Sequence, residues 1–294
     1  MAARTAFIGT GIMGAPMAGH LLNAGNSLVV NSRTKARVEE LIARGAKWAN
    51  SPKEAAASAD FVFVCVNDTP DVEKVILGKD GVVEAARAGL MVVDHSTISP
   101  SATKKMAEAL RARGAVLLDA PVSGGDVGAK NATLSIMVGG DEEAFKRAQP
   151  LLAHMGKTIV HCGPSGYGQL TKLVNQILVS VTLTGVAEAM AFAAKNGLDL
   201  AKTLSVVSGG AAKSWQLENL GPKMVAHDFR PGFMIDLMQK DLRLVMQSGQ
   251  ESGCPLAASA LVHQLFTSAQ AQGHGRDGTQ AIFAVMEGLA NLKK

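Results

Sequence analysis

The chain has 294 residues, of which 47% are hydrophobic and 18% charged, and its formal net charge is +4. This length and composition predict a folded protein of two domains and exclude a disordered chain. Lys and Arg residues are scattered along the sequence and form no polybasic runs, so we expect no nucleic-acid partner.

The cysteines and the N-terminal sequence predict the cellular compartment of the protein. Cys65, Cys162 and Cys254 are odd in number and widely spaced, which favours a reducing compartment over a disulfide scaffold. The first residues enter an apolar strand at once, without the charged and apolar regions of a signal peptide. We therefore expect a cytoplasmic protein.

A short apolar strand at residues 5–9 runs into a glycine-rich loop, followed by a helix at 15–24 and a second strand at 27–31. This order indicates a dinucleotide-binding βαβ unit. The first glycine permits the tight turn, the second lets the backbone approach the pyrophosphate, and the third lets helix and strand pack closely. The loop residues expected to bind the cofactor are Gly9, Gly11, Ile12, Met13 and Gly14.

The end of the second strand predicts which cofactor is bound. NAD-binding units usually carry an acidic residue there, which holds the ribose 2′-hydroxyl. Here the strand ends at Asn31, and Arg33 and Thr34 follow. These side chains can donate to a 2′-phosphate, and a guanidinium suits one well, so we expect NADP as the preferred cofactor. The alternative is that Arg33 only caps the loop and that NAD binds.

Strands and helices continue to alternate as far as residue 163, which predicts a Rossmann-type, mostly parallel sheet covered on both faces. Asn67 and Thr97 lie just past the ends of two predicted strands, 61–66 and 90–94. Ligands bind at such strand ends, so both residues are candidate cofactor contacts. They could equally serve only to end strands and cap helices.

A segment rich in small residues, 119–125, follows the next predicted strand. Its glycines would expose backbone N–H groups, and Ser123 adds a hydroxyl beside Gly124. Such a nest suits a carboxylate, which makes these two residues candidates for substrate binding. An ordinary connecting loop is the alternative.

One long apolar helix is predicted at 169–195, and only helices are predicted after it. Residues 1–163 would therefore form the cofactor domain and residues 164–294 an all-helical domain for substrate and dimerisation. The stretch 177–194 of this helix is long and apolar enough to raise the question of a membrane span. Glu188 interrupts it and Lys172 and Lys195 flank it, so we expect no membrane and a buried helix in a soluble oligomer.

Near the start of this helix, Lys172, Asn175 and Gln176 share one face. Hydride transfer with a dinucleotide needs a group that moves a proton to or from the substrate oxygen. Lys172 fits if desolvation and a nearby cation such as Lys240 lower its pKa, and Asn175 could hold the substrate oxygen or the lysine. The seven histidines show no metal-ligand spacing, so no metal is expected.

Four blocks make the chain resemble the β-hydroxyacid dehydrogenase family, which includes 3-hydroxyisobutyrate dehydrogenases, tartronate semialdehyde reductases and succinic semialdehyde (glyoxylate) reductases. The blocks are FIGTGIMGAPM (7–17), DAPVSGG (119–125), GYGQLTKLVNQ (166–176) and FMIDLMQKDL (233–242). The resemblance implies a Rossmann-type domain and a helical domain joined by the long helix.

The resemblance also implies residue roles. Lys172 would be the catalytic acid/base, with Ser123, Gly124 and Asn175 holding a small carboxylate-bearing substrate. Lys240 would lie beside substrate and cofactor, and Thr97 and Phe233 would contact the cofactor. Two positions depart from the common family pattern: the 67–69 loop, and Gln176, where a second Asn is common.

We therefore expect an NADP-preferring dehydrogenase that interconverts a small β- or γ-hydroxy acid and its semialdehyde, as a homodimer or homotetramer. One alternative is NAD-dependent oxidation of a β-hydroxy acid or β-hydroxy amino acid, such as 3-hydroxyisobutyrate or serine, by the same residues. Another is a dinucleotide-binding module without catalysis, which an intact Lys172 argues against.

Overall fold

The structure, a computed structural model, describes residues 2–292. The chain divides into two compact units, Met1–Lys172 and Leu173–Lys294. The boundary expected from the sequence, at residue 163, precedes this division. The difference arises because the first turns of the long helix are hydrogen-bonded to strand ends of the first unit.

The first unit alternates strands and helices. Its strands are β1 (Arg4–Ile8), β2 (Ser27–Asn31), β3 (Lys47–Trp48), β4 (Phe61–Val64), β5 (Met91–Asp94), β6 (Val116–Asp119), β7 (Val122–Ser123), β8 (Leu134–Gly139) and β9 (Gly156–Gly163). Its helices are α1 (Gly14–Asn23), α2 (Glu39–Ala43), α3 (Pro52–Ala57), α4 (Thr69–Leu77), α5 (Pro100–Arg111), α6 (Gly125–Lys130) and α7 (Glu142–Leu152). Short 3-10 turns lie at Lys35–Val38 and Val82–Ala85.

The strands of the described first unit form one sheet in the order β3-β2-β1-β4-β5-β6-β8-β7, with β9 paired to β8. The six strands from β3 to β6 run parallel. β8 pairs antiparallel with β6 and β7 and parallel with β9. The predicted Rossmann-type, mostly parallel sheet is therefore confirmed.

Alternate residues along the central strands face opposite sides of the sheet and build two cores. Phe7, Phe63 and Val93 stand in register across β1, β4 and β5 and bury on one face. Their neighbours Val62 and Val92 bury on the other face. Because both faces are covered, these strands are nearly continuous in apolar residues, as buried parallel strands are.

The second unit is helical, as predicted. Helix α8 (Tyr167–Lys195) enters it from the first unit and is followed by α9 (Leu200–Val207), α10 (Trp215–Asn219), α11 (Gly221–Val225), α12 (Ile235–Ser252), α13 (Ala257–Ala271) and α14 (Ile282–Leu289), with a 3-10 turn at Thr279–Ala281. Two helical stretches, 215–225 and 279–289, are each divided into two pieces. In the first, Gly221 and Pro222 begin the new helix.

Helix α8 has 29 residues and is therefore about 43 Å long. It begins two residues before the predicted start and ends, as predicted, at Lys195. Gly197 has a φ of +72°, and the N–H of Leu198 donates to the carbonyl of Ala193. This is a Schellman cap, in which glycine supplies the left-handed residue that ends a helix.

By length and composition alone, α8 is the one helix in the described part of the chain that could cross a membrane, with a mean hydropathy of 1.8. Core helices of soluble proteins pass the same test, so this is weak support for a membrane span.

Candidate active site

The connection from β1 to α1 needs glycine at two positions for the fold itself. Gly9 has a φ of +92°, and a Cβ there would collide with the carbonyl of Cys65. A Cβ on Gly14 would collide with the carbonyl of Gly9. These glycines therefore close the turn and bring the helix against the strand.

Gly11 is different, because the fold does not require glycine there. Its φ is not positive, and a Cβ added to it would meet no atom within 4 Å. The neighbouring Ile12 is 63% exposed, and α1 begins at Gly14 without a side-chain cap or an acidic residue in its first turn. An open backbone beside an uncapped helix N-terminus fits the pyrophosphate of a dinucleotide.

The carboxyl end of β2 presents a cationic surface. The amide Nδ2 of Asn31 donates to the carbonyl of Ala49 at 2.9 Å, which fixes the strand end. The Arg33 side chain is 80% exposed, and its Nη1 lies 3.6 Å from Oδ1 of Asp71. Thr34 is also exposed, and its backbone carbonyl accepts a hydrogen bond from the N–H of Arg37. An exposed ion pair of this kind contributes little, so the Arg33 guanidinium remains accessible to a ligand.

The segment after β5 is held by hydrogen bonds on both sides of Thr97. The backbone carbonyl of Ser96 accepts from Nε2 of Gln169 at 2.8 Å, and the N–H of Ile98 donates to Oε1 of Gln169 at 3.0 Å. The Ser96 hydroxyl also accepts from the N–H of Val66 after β4, at 2.9 Å. One buried glutamine side chain thus fixes the position of Thr97.

Asp119 anchors the start of α8. Its Oδ1 accepts from the N–H of Gly166 at 2.8 Å and its Oδ2 from the N–H of Gln169 at 2.9 Å. Burial raises the pKa of the Asp119 carboxyl, and the backbone donors oppose that rise. Lys172 follows one turn later and is only 7% exposed. The strand end and the helix that carries the candidate acid/base are therefore joined by charge-assisted hydrogen bonds.

The segment around Ser123 forms a strand end and a helix start, and not the ordinary connecting loop that was the alternative interpretation of the sequence. Ser123 ends β7 and pairs with Ser135 of β8, and α6 begins two residues later. Gly124 and Gly125 have φ values of +130° and +63°, so glycines make this tight strand-to-helix change possible. Substrate binding by Ser123 and Gly124 stays a prediction.

In the second unit, two buried residues connect two predicted site residues. The Nδ2 of Asn175 donates to Oε1 of Gln176 at 2.7 Å, and the Nε2 of Gln176 donates to Oδ2 of Asp241 at 2.6 Å. Oδ1 of Asp241 lies 2.7 Å from Nζ of Lys240. Gln176 and Asp241 are each 2% exposed. Lys240, whose side chain is 14% exposed, is thus not an ordinary surface lysine.

Phe233 lies just before α12 in the second unit. It is half-buried against the helical core, and its carbonyl accepts from the N–H of Thr279 at 2.9 Å. The adjoining Met234 forms an isolated bridge with Gly278. These contacts fix the backbone at Phe233, and its predicted cofactor contact stays a prediction.

The first unit brings several predicted cofactor residues to one edge of the sheet. β2, β1, β4 and β5 are adjacent and parallel, and Gly9, Arg33, Asn67 and Thr97 each follow the carboxyl end of one of them. Within residues 2–292, no group of three or more His, Cys, Asp or Glu side chains is placed to hold a metal ion. The predicted site residues therefore offer backbone, amide, hydroxyl and ammonium groups to a ligand.

Two family models match most of the chain. Residues 4–163 match the NAD-binding domain of 6-phosphogluconate dehydrogenase. Residues 166–286 match the NAD-binding region of NADP-dependent 3-hydroxyisobutyrate dehydrogenase. The chain belongs to the β-hydroxyacid dehydrogenase family.

Named relatives agree with this assignment along the full length of the dehydrogenase. It is 41% identical over 287 residues to the 2-hydroxy-3-oxopropionate reductase of Escherichia coli, covering 98% of each chain. It is 39% identical over 276 residues to the NAD-dependent L-serine dehydrogenase of Pseudomonas aeruginosa, covering 92% of this chain and 93% of the relative.

A solved structure supports the fold of the dehydrogenase. The 3-hydroxyisobutyrate dehydrogenase of Mycobacterium tuberculosis, described with L-serine, superposes with a TM-score of 0.89 at 32% identity, covering 97% of this chain and 99% of that one. Together these similarities show that the chain is an NAD(P)-dependent hydroxyacid dehydrogenase, and the reading as a non-catalytic dinucleotide module is set aside.

Sequence reasoning missed three residues that support predicted site residues: Ser96 and Gln169 beside Thr97, and Asp241 beside Lys240. The signal for Gln169 was present, because a polar side chain in the first turn of an apolar helix needs a partner. The partners of that side chain lie 71 and 73 residues away in the chain, so spacing could not identify them.

Proposed function

We propose that this dehydrogenase interconverts a small β- or γ-hydroxy acid and its semialdehyde with NADP(H), and that Lys172 is the general acid/base. The observation that carries the proposal is the burial of Lys172, a residue only 7% exposed, on a helix start that Asp119 and Gln169 fix to two strand ends. A lysine held in this way does not serve as an ordinary surface lysine that keeps its charge in water. General acid/base catalysis, by contrast, needs an amine held in a fixed position.

The proposed chemistry divides between cofactor and protein. The bound nicotinamide supplies or accepts the hydride. During reduction of the aldehyde, the Lys172 ammonium donates a proton to the oxygen as it gains negative charge. During oxidation, the neutral amine accepts the hydroxyl proton. Asn175 orients the reacting groups, accepting a hydrogen bond from the substrate hydroxyl during oxidation or from the Lys172 ammonium during reduction.

The substrate carboxylate needs its own donors. We assign this role to the Ser123 hydroxyl and the Gly124 backbone, since small residues let an anion approach the N–H groups closely. Lys240 adds a cation for the anionic substrate. The carboxylate would then fix the distance from anion to reacting carbon, which sets the length of the accepted acid.

Names of the relatives favour a β-hydroxy acid over a γ-hydroxy acid. The reductase of E. coli is named for 2-hydroxy-3-oxopropionate, and the M. tuberculosis enzyme for 3-hydroxyisobutyrate. Both names place an oxygen on the third carbon of a carboxylic acid. We therefore propose a substrate that carries its reacting oxygen at that carbon.

The β2 end supports NADP as the preferred cofactor. It carries the amide of Asn31 where an acidic side chain would repel a phosphate, and the exposed Arg33 follows. A guanidinium binds phosphate oxygens in a bidentate fashion. Thr34 can donate its hydroxyl to the same group.

NAD-dependent oxidation of a β-hydroxy acid or amino acid is the second candidate function. It is favoured by the 39% identity to an enzyme named NAD-dependent L-serine dehydrogenase. In that case Arg33 would keep its contact with Asp71, and the same Lys172 would accept the hydroxyl proton.

We further propose a homodimer or homotetramer in the cytoplasm, without membrane or nucleic-acid partners. Val174, Leu178 and Phe192 on α8 are 57%, 63% and 69% exposed, and such a row of apolar side chains is typical of an interface. Multi-angle light scattering should give a multiple of the chain mass, and Leu178→Glu should lower it. A monomer at all concentrations would contradict the assembly.

The function is tested with initial rates on a panel of acids. The panel comprises 2-hydroxy-3-oxopropionate, succinic semialdehyde and glyoxylate with NADPH and NADH, and 3-hydroxyisobutyrate and L-serine with NADP and NAD. Highest kcat/KM for 2-hydroxy-3-oxopropionate with NADPH supports the proposal, whereas highest kcat/KM for succinic semialdehyde would replace the β-hydroxy acid by a γ-hydroxy acid. Highest kcat/KM for L-serine with NAD would replace the proposal by the second candidate.

A further inference from the structure

Four side chains of the second unit form a continuous polar chain between two elements. Asn175 and Gln176 lie on α8, and Lys240 and Asp241 lie on α12. The contacts run from Asn175 to Gln176 at 2.7 Å, to Asp241 at 2.6 Å, and to Lys240 at 2.7 Å. The two outer members are predicted site residues, and the two inner members are 2% exposed and out of reach of a ligand.

The charge of Asp241 determines how each amide is oriented. A carboxylate only accepts hydrogen bonds, so Gln176 must turn its NH₂ group toward Asp241. Its Oε1 then faces Asn175, where it accepts from Nδ2. Asn175 is therefore held with its Oδ1 turned away from Gln176, and this oxygen can only accept.

We propose that Gln176 and Asp241 are positioning residues for the reaction: Gln176 fixes the amide orientation of Asn175, and Asp241 fixes Lys240. This inference rests on the proposed roles of Asn175 and Lys240. It adds that Asn175 presents Oδ1 as an acceptor, which suits a substrate hydroxyl or an ammonium group and not a bare alkoxide.

The length of Gln176 matters for this arrangement. Its amide spans from Asn175 to Asp241, and its Nε2 also lies 4.0 Å from Sδ of the fully buried Met238. Because Gln176 and Asp241 are each 2% exposed, removal of the amide would leave buried polar groups without their hydrogen bonds. The residue that departs from the common family pattern is thus the one that connects the two elements.

Two variants test separately the two halves of this row of polar side chains, Asn175 with Gln176 and Asp241 with Lys240. Gln176→Met keeps the length but removes both amide contacts, so it should free Asn175 and leave the pair of Lys240 and Asp241 intact. Asp241→Asn offers an amide oxygen to Gln176 and so keeps the Asn175 orientation, but it removes the charge that holds Lys240. We expect Gln176→Met to show the same changes in kcat and KM as Asn175→Ala. We expect Asp241→Asn to show the same changes as Lys240→Ala.

The expected loss in kcat/KM is about ten- to a hundred-fold for each variant, since a displaced substrate group can lower the rate by up to about 10². Because Gln176 acts through Asn175, Gln176→Met should not lower kcat/KM further when Asn175 is already replaced by Ala. Gln280→Met is the matched control, because Gln280 is also 2% exposed and its Nε2 donates to the carbonyls of Asp228 and Arg230.

The control should lower thermal stability while kcat, KM and NADPH affinity stay unchanged. Normal kcat/KM in folded Gln176→Met, or full additivity with Asn175→Ala, would overturn the inference. If Asn175→Ala and Lys240→Ala themselves retain wild-type kinetics, the proposed site fails instead. If Gln176→Met does not fold, Asp241→Asn compared with Lys240→Ala still decides the other half.

Discussion

The buried carboxylate of Asp119 accepts a hydrogen bond from the backbone N–H of Gln169, at 2.9 Å and across 50 residues of chain. The side chain of Gln169 in turn bonds the backbone on both sides of Thr97. The end of β6, the segment after β5 and the first turn of α8 are therefore joined through one glutamine. Lys172, one turn further on, takes its position from this junction.

Replacing Asp119 should disturb both stability and turnover. Asp119→Ala removes a buried acceptor from two backbone donors, which costs about 1–3 kcal/mol for each group left unsatisfied. We expect a lower midpoint in thermal unfolding and a lower kcat. Asp141→Ala is the control, since Asp141 accepts from Ala144 at the exposed start of α7, and its loss should lower stability alone. Unchanged kcat in folded Asp119→Ala would contradict the junction described above.

Gly11 and Gly14 should respond differently to the same substitution. Gly11→Ala introduces a methyl group into open space, so folding should be normal while NADPH affinity falls about tenfold, equivalent to about 1.4 kcal/mol. Gly14→Ala collides with backbone and should reduce soluble yield. Fluorescence titration and circular dichroism give both results, and wild-type NADPH affinity in Gly11→Ala would argue against pyrophosphate binding at this loop.

Arg33→Ala should change cofactor preference. A hydrogen bond to a charged group contributes about 1.5–3 kcal/mol, so the KM for NADPH should rise about ten- to a hundred-fold, and the KM for NADH should stay the same. Arg147→Ala removes an exposed arginine on α7 and should affect neither cofactor. Equal changes for NADPH and NADH would mean that Arg33 does not read the 2′-phosphate.

His95 predicts an acid-dependent loss of stability. Burial lowers the pKa of His95 to about 4, against the ordinary value of 6.5, although the hydrogen bond to the Ala120 carbonyl raises it slightly. The folded state therefore keeps the ring neutral while the unfolded chain binds a proton. The stability from His95 is complete above pH 6.5 and is lost as the pH falls toward 4, by roughly 3 kcal/mol.

The measurement is the free energy of unfolding in urea between neutral pH and pH 4. The difference between wild type and His95→Gln should shrink as the pH falls, because the variant lacks the titrating ring. His154→Gln, at an exposed position, should track the wild type. A constant difference between wild type and His95→Gln would show that His95 is not held neutral in the folded state.

Local sequence signals were sufficient to predict the architecture. They were insufficient to predict which residues hold the candidate site residues in position. The glycine loop, the apolar strands and the end of α8 at Lys195 depend on neighbouring residues, and they are where the sequence predicted them. Asp119, Gln169, Gln176 and Asp241 act through partners from 47 to 73 residues away. Such pairings depend on the tertiary fold, so the sequence showed unusual polar residues but not their partners.

Short elements were also hard to predict. β3 has two residues and β7 two, and each exists because a neighbouring strand offers backbone partners. The segment 119–125 was predicted as a nest of backbone N–H groups or, alternatively, as an ordinary connecting loop, because it is rich in small residues. Pairing with β8 makes its second half a strand end and a helix start instead.

The most direct test of the central claim is turnover by Lys172→Met, a change that keeps an unbranched side chain of similar length at a buried position. Removal of a general acid/base costs about 10²–10⁴-fold in rate, so kcat should fall by that factor while NADPH affinity by fluorescence titration stays at the wild-type value. If Lys172→Met retains near-normal kcat, Lys172 does not move the proton and the proposed mechanism is wrong.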